Sequence, residues 1–154
     1  MSKLETPMTE AFWMHHAKGA YLPEYCLVRR DKKIDCGGRW ADAVILLDEP
    51  HGRANFSDFP TLKGRNVVVV QTKASRMGMY LMGQAVFSAQ LVRVQGAASV
   101  RSILLCTRAD VVLLPFLEPY PEVEVWTCDP DNSYVCKRVI LPEHQNQNLG
   151  IVIS

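Results

Sequence analysis

The chain has 154 residues, of which 48% are apolar and 21% are charged, and its formal net charge is +1. This length and apolar content suit a single domain with its own core. No apolar run approaches the length of a membrane span, and the first twenty residues lack the layout of a signal peptide. We therefore expect a soluble, cytoplasmic protein without membrane contact.

Positive charge is concentrated in the middle of the chain. Residues 18–108 hold 14 Lys and Arg against 7 Asp and Glu, whereas residues 109–154 hold 2 against 7. An excess of basic residues of this kind is expected beside a polyanion such as nucleic acid.

The N-terminal part predicts a helix and a hairpin. Residues 1–7 have the character of a frayed tail, and Thr9–Lys18 has the pattern of a short amphipathic helix. Glu24–Arg30 and Arg39–Leu47 are predicted as two strands. The polar stretch between them contains Gly37-Gly38, which is typical of a turn.

A valine-rich strand and a long helix follow. Glu49–Lys63 is rich in turn-forming residues and is predicted as a surface loop. Asn66–Lys73 contains four consecutive valines and predicts a strand buried on both faces. Ser75 to about Val94 predicts a helix, and Val100–Thr107 predicts a fourth strand. A helix between two strands indicates a crossover to a parallel neighbour.

The C-terminal part predicts further short elements. Asp110–Leu117 is predicted as a short helix or turn, and Val123–Cys128 and Tyr134–Leu141 as a fifth and a sixth strand. The apolar residues Ile151–Ile153 are predicted to pair at a sheet edge. The order of elements predicts an α/β sandwich built on a mixed sheet.

Polar side chains close the valine-rich strand at Gln71 and Lys73. Side chains alternate along a strand, so both are predicted on one face, and a buried lysine needs a partner. Asp42 interrupts the apolar run of the preceding strand and can lie beside them. Carboxylate and amide oxygens suit Mg²⁺, and the metal and Lys73 together suit phosphodiester hydrolysis. The alternative is a structural ion pair between Asp42 and Lys73.

This pattern resembles the PD-(D/E)xK nuclease superfamily over roughly Thr9 to Thr107. Asp42 matches the metal-binding aspartate, and Gln71-Thr72-Lys73 matches the (D/E)xK element, with the glutamine of the methylation-dependent restriction branch. The residue before Asp42 is Ala41 rather than the usual proline. The resemblance implies a restriction endonuclease-like, three-layer α/β/α sandwich and a Mg²⁺- or Mn²⁺-dependent endonuclease or exonuclease acting on DNA.

The resemblance also implies roles for individual residues within one domain over residues 1–154, with a core at about 9–107 and an extension at 108–154. Catalysis is assigned to Asp42, Gln71, Lys73 and Glu10, with Glu24 as the competitor of Glu10. The metal ligands are assigned as Asp42, Gln71 and Thr72.

Contacts to DNA are expected from the basic part of the chain and from the long helix. Tyr80 and Gln84 resemble the Gln/Tyr pair of the exonuclease branch in reversed order. The full set of expected contacts is Arg29, Arg30, Lys32, Lys33, Arg39, Arg76, Tyr80 and Gln84.

The neutral Gln71 weakens metal binding relative to a glutamate, which leaves an alternative function. In that alternative the chain is a catalytically inactive nuclease-fold module for nucleic-acid binding or protein assembly. A domain of this size has little room for base reading beyond its core. Partners are therefore expected to be DNA together with a second copy of the chain or another protein.

Overall fold

The structure, a computed structural model, describes residues 2–54 and 60–140. The predicted edge strand at Ile151–Ile153 lies outside these residues. Two short 3-10 helices span Lys32–Ile34 and Leu114–Leu117. The helices and strands are α1 (Glu5–His16), β1 (Ala20–Val28), β2 (Arg39–Leu46), β3 (Gly52–Arg53), β4 (Asn66–Thr72), α2 (Met79–Val94), β5 (Ser99–Cys106), β6 (Val123–Asp129) and β7 (Val135–Val139).

Seven strands form one mixed sheet in the order β3-β1-β2-β4-β5-β6-β7. Strand β2 runs antiparallel to both of its neighbours, β1 and β4, whereas β4, β5 and β6 are parallel to one another. At the edges, β3 is parallel to β1 and β7 is antiparallel to β6. Helix α2 is the crossover between β4 and β5, as predicted. The prediction of an α/β chain on a mixed sheet is confirmed. Neither described α-helix is long and apolar enough to cross a bilayer.

Strand β4 lies at the centre of the core because alternate side chains pack with different helices. Val68 and Val70 share a core cluster with Phe12 of α1, whereas Val69 shares another with Val92 of α2. Both faces of the strand are therefore covered, which accounts for its uninterrupted run of valines.

Helix α1 begins at Glu5, so the prediction of a tail over residues 1–7 and a helix start at Thr9 is wrong. Pro7 is the third residue of the helix. The N–H groups of the first turn have no partner within a helix, so a proline there removes no helical hydrogen bond. Glu5 also favours this end, because an acidic side chain interacts well with the helix N-terminus.

Strand β1 begins at Ala20 rather than at the predicted Glu24. Pro23 is tolerated within this strand because β3 pairs only with Ala20 and Tyr21. In the described part of the chain no strand pairs with β1 beside Pro23 on that side, so the missing N–H of Pro23 costs no ladder bond. Strand β3 itself (Gly52–Arg53) lies in the stretch predicted as a loop.

Helix α2 begins at Met79, four residues after the predicted start at Ser75. The residues between β4 and α2 pair instead with the backbone that follows β5. Met77 N–H donates to the Arg108 carbonyl at 2.9 Å, and Thr107 N–H donates to the Ser75 carbonyl at 3.0 Å. These bonds hold the link between β4 and α2 beside the end of the sheet.

Candidate active site at the ends of β2 and β4

Asp42 on β2 and Thr72 on β4 are joined directly. The Thr72 N–H donates to Asp42 Oδ2 at 2.7 Å, and the Asp42 side chain is half-buried. Burial raises the pKa of the Asp42 carboxyl above its ordinary value. The hydrogen bond from Thr72 opposes this shift, and the nearby charge of Glu5 adds to it. A carboxyl in a partly dry cleft with a raised pKa is a common feature of functional sites.

The alternation of side chains along β2 breaks at Asp42. Ala43 packs in the core cluster of α1, and Val44 packs in that of α2, as regular alternation requires. Ala41 should then face α1, yet it packs in the cluster of Val44. Glu24, on the neighbouring strand β1, has a positive φ of 53°. The break coincides with the turn of the Asp42 carboxylate toward the backbone of β4.

The Asp42 carboxylate lies in a cavity of about 260 Å³, called here the small cavity. Of the predicted site residues, it brings together Asp42, Thr72 and Lys73 but not Gln71. Arg76 enters from the link between β4 and α2, and both cationic side chains are exposed. The lining residues are Glu5, Asp42, Thr72, Lys73, Ser75, Arg76, Gly78, Tyr80, Leu81 and Gln84.

Glu5, rather than Glu10 or Glu24, is the glutamate in the lining of the small cavity. Glu10 binds Arg53 instead, with Oε1 2.5 Å from Nη2. The sequence analysis missed Glu5 because residues 1–7 were predicted as a tail. Its signal was the spacing of Glu5 and Thr9, four residues apart and thus on one face of a helix.

Hydroxyl groups tie α1 to the end of β4. Thr9 Oγ1 lies 2.7 Å from Thr72 Oγ1 and also donates to the Glu5 carbonyl at 3.0 Å. Both threonines are buried. The first turns of α1 are therefore fixed against the strand that carries the Asp42 hydrogen bond.

Gln71 does not share the small cavity with Asp42 and Lys73. Its amide Nε2 donates to Ser88 Oγ at 2.9 Å and to the Trp40 carbonyl at 3.3 Å. The prediction that Gln71 and Lys73 project together assumed one continuous strand. Strand β4 ends at Thr72, and Lys73 lies in the link that follows, where strict alternation no longer holds.

Gln71 lines a second cavity of about 530 Å³, called here the large cavity. Tyr80 and Gln84 line both cavities, so the two adjoin at the start of α2. The sequence analysis did not identify this second cavity. Its lining residues are Leu27, Gly38, Arg39, Trp40, Gln71, Met79, Tyr80, Gly83, Gln84, Phe87, Ser88 and Leu91.

The N-terminus of α2 opens on the small cavity. Gly78 is the N-cap, and among the described residues no side chain caps this end. The first N–H groups of a helix lack partners within it, and the helix dipole favours negative charge there. With Lys73 and Arg76 nearby, this end of α2 is suited to a phosphate group.

The predicted DNA-binding residues divide into two groups. Arg76, Tyr80 and Gln84 line the small cavity, and Arg39 lines the large one. The remaining four do not line either cavity and are exposed on the connection between β1 and β2; they are Arg29, Arg30, Lys32 and Lys33.

The donor atoms of the small cavity suit Mg²⁺ rather than zinc. Within residues 2–54 and 60–140, no group of three or more His, Cys, Asp and Glu is placed to hold a metal. Asp42 and Glu5 supply two carboxylates to the cavity. Mg²⁺ keeps several waters and is usually held by one or two carboxylates together with substrate phosphate.

The alternative of a structural ion pair receives no support from the geometry. In the described part of the chain, no ion pair joins Asp42 to Lys73. Asp42 is held by the Thr72 backbone, and Lys73 is exposed at the cavity.

Comparisons of the chain with protein-family models, with curated proteins and with solved structures find no match. Function is a property of a site rather than of a fold class. The arrangement of side chains around the two cavities is therefore what bears on the function of this chain.

Proposed function

We propose that the chain is a Mg²⁺- or Mn²⁺-dependent nuclease that hydrolyses phosphodiester bonds in DNA, with the small cavity as its active site. The observation that carries the proposal is the convergence on one cavity of the half-buried Asp42 carboxylate, Lys73 and the N-terminus of α2, which no described side chain caps. Helices α1 and α2 packed on a mixed sheet also suit the three-layer sandwich of restriction endonuclease-like proteins.

Binding of the substrate phosphate is assigned to the basic side of the small cavity. Lys73 and Arg76 supply positive charge, and the first N–H groups of α2 supply donors. These groups are held by the bonds between the link and the backbone after β5, so they need little rearrangement to receive the phosphate.

Asp42 and Glu5 are the residues that would hold the metal. When bound, Mg²⁺ supplies a water of lowered pKa and neutralises charge on the phosphate. The Thr72 N–H fixes one oxygen of Asp42 and leaves the other for ligation. The hydroxyl chain from Thr9 keeps the first turn of α1, and with it Glu5, beside this carboxylate.

Lys73 is assigned the stabilisation of negative charge that develops on the phosphate oxygens. A donor aimed at such charge typically contributes about 100- to 1,000-fold to the rate. Because Lys73 is exposed and outside the core, its removal should reduce cleavage without unfolding the protein.

The test is cleavage of plasmid and of labelled oligonucleotides with Mg²⁺, with Mn²⁺ and with EDTA. We expect metal-dependent cleavage by the wild type and a loss of about 100-fold or more for Lys73→Ala. Lys137→Ala, an exposed lysine on β7, is the matched control. Absence of cleavage by the wild type with either metal, or equal activity of Lys73→Ala and Lys137→Ala, would overturn the proposal.

A second candidate function is a nuclease-fold module that binds nucleic acid or assembles with a protein without catalysis. The observation that favours it is the engagement of Gln71 by Ser88 and Trp40, away from the small cavity. This candidate predicts retention of DNA without turnover, including with Mn²⁺. Light scattering of the protein alone and with DNA would then report whether a second copy takes part.

A further inference from the structure

Exposed aromatic side chains form the walls of the large cavity. Trp40 is 56% exposed, Phe87 67% and Tyr80 82%. Large apolar side chains gathered at one exposed place usually mark a binding site. The floor of the cavity is polar, because Gln71 and Ser88 are buried there and joined by a hydrogen bond of 2.9 Å.

Gly83 leaves this cavity open at a cost to helix α2. Glycine is unfavourable inside a helix, because it loses more backbone freedom on folding than other residues. A Cβ added to Gly83 would meet no atom within 4 Å, so packing inside the protein does not require glycine here. A larger side chain at this position would project into the space that an occupant would use.

The large cavity adjoins the proposed active site. Tyr80 and Gln84 line both cavities, and Arg39 adds positive charge to the lining of the large one. An occupant of the large cavity would therefore lie next to the group bound by Lys73 and Arg76.

We propose that the large cavity binds an unpaired base of a DNA strand whose neighbouring phosphate lies in the small cavity. This inference rests on the proposed function and deepens it, since it names single-stranded DNA, or duplex with unpaired bases, as the substrate class. Bases stack on aromatic side chains whatever their sequence, and basic residues follow the backbone. A paired base would first have to leave the duplex stack.

The test measures the binding of labelled DNA by fluorescence anisotropy. The buffer contains EDTA, so that a metal-dependent enzyme cannot cleave the DNA. A single strand and a duplex of the same length and sequence are compared. We expect wild type to prefer the single strand and Trp40→Ala to weaken single-strand binding by at least about fivefold. Phe116→Ala is the matched control, because Phe116 is similarly exposed (52%) and lies outside both cavities.

A second pair of variants consists of one that fills the cavity and a matched control outside it. Gly83→Leu should reduce single-strand binding as strongly as Trp40→Ala, because leucine is a good helix former that occupies the space of the base. Gln90→Leu places the same side chain at an exposed position of α2 outside the cavity and should bind like wild type. Circular dichroism checks that each variant is folded.

The outcomes separate this inference from the proposed function. Single-strand binding that depends on Trp40 and Gly83, in a protein that never cleaves, supports the base site and overturns the nuclease. Cleavage that depends on Lys73, with single-strand binding indifferent to Trp40 and Gly83, supports the nuclease and overturns the base site. Equal or tighter binding of the duplex also overturns the base site.

Discussion

The hydroxyl oxygens of Thr9 and Thr72 lie 2.7 Å apart, although 63 positions separate the two residues in the chain. This contact joins the helix that carries Glu5 to the strand end that holds the Asp42 carboxylate. The proposed active site therefore depends on how α1 is fixed to the sheet, as well as on the residues of β2 and β4.

Replacement of Thr9 by valine tests this dependence. Thr9→Val keeps the shape of the side chain and removes its hydroxyl, so Thr72 loses a buried hydrogen-bond partner. We expect the free energy of unfolding to fall by about 1–3 kcal/mol in urea titrations. Thr6→Val, which removes an exposed hydrogen bond to the Ser2 carbonyl, should change it by less than about 0.5 kcal/mol. Equal effects of the two variants would show that the Thr9–Thr72 contact adds nothing.

Asp42→Asn should abolish metal-dependent cleavage and raise the stability of the folded protein at neutral pH. Burial raises the pKa of Asp42 in the folded protein above its value in the unfolded chain, so the folded state holds this proton more tightly. The resulting stabilisation is complete below the unfolded pKa and is lost as the pH rises through the folded pKa. The stability of wild type relative to Asp42→Asn should fall across that window and be level above it.

Thermal melts of both proteins at a series of pH values measure this difference. The asparagine oxygen still accepts from the Thr72 N–H, so the variant keeps its local structure. Mg²⁺ should raise the melting temperature of wild type and leave Asp42→Asn unchanged at neutral pH. A variant that is less stable than wild type at neutral pH would contradict the assigned burial cost.

Gln71→Glu should destabilise the protein without gaining metal affinity. The glutamate cannot donate to the Trp40 carbonyl, and it places a charge beside Ser88 in a site where Gln71 is only 3% exposed. We expect a loss of about 1–3 kcal/mol or more in unfolding free energy. Melts with and without Mg²⁺ distinguish the two roles of this residue. Rescue by Mg²⁺ would show that Gln71 reaches the metal, contrary to the arrangement described here.

Salt dependence should identify the DNA-binding surface. Lys32 and Lys33 are exposed on the connection that leads to Arg39 at the large cavity. If both contact phosphates, their replacement by alanine should reduce the slope of log K against log salt by about 1.4 for a single strand. Replacement of Lys63 and Lys137, also exposed, should leave the slope unchanged. Equal slopes for the two double variants would assign Lys32 and Lys33 to a solvated surface.

The centre of the fold could be predicted because its residue types have strong local preferences for strand or helix. Four consecutive valines suit only a strand covered on both faces, and Val67–Val70 forms that strand. The helix after it has an apolar pattern that requires a sheet to pack against, which predicts the crossover to β5. Strands β2, β4, β5, β6 and β7 are found within two residues of their predicted ends.

The position of Gln71 and the start of α2 depend on contacts that no local pattern contains. Gln71 is turned toward Ser88, which lies 17 residues later on another element. Glu5 belongs to the site because α1 begins before Pro7, in the stretch predicted as a tail. Before α2 starts, the Met77 N–H donates to the Arg108 carbonyl and the Ser75 carbonyl accepts from the Thr107 N–H, so this stretch pairs with residues after β5. For Gln71 and for the start of α2, a tertiary contact overrides the local preference.

The two outer strands of the described sheet also limit unwanted pairing between molecules. An unpaired strand edge is a template for a second chain, and short strands or charged side chains block it. Strand β3 has two residues, and β7 has five, with Lys137 and Arg138 exposed on it. We therefore expect these two charges to hinder edge-to-edge pairing of β7 with a second molecule. Replacing both by alanine should shorten the time before a concentrated sample becomes turbid. Neither residue lines the small or the large cavity, so this effect should be independent of DNA binding and cleavage.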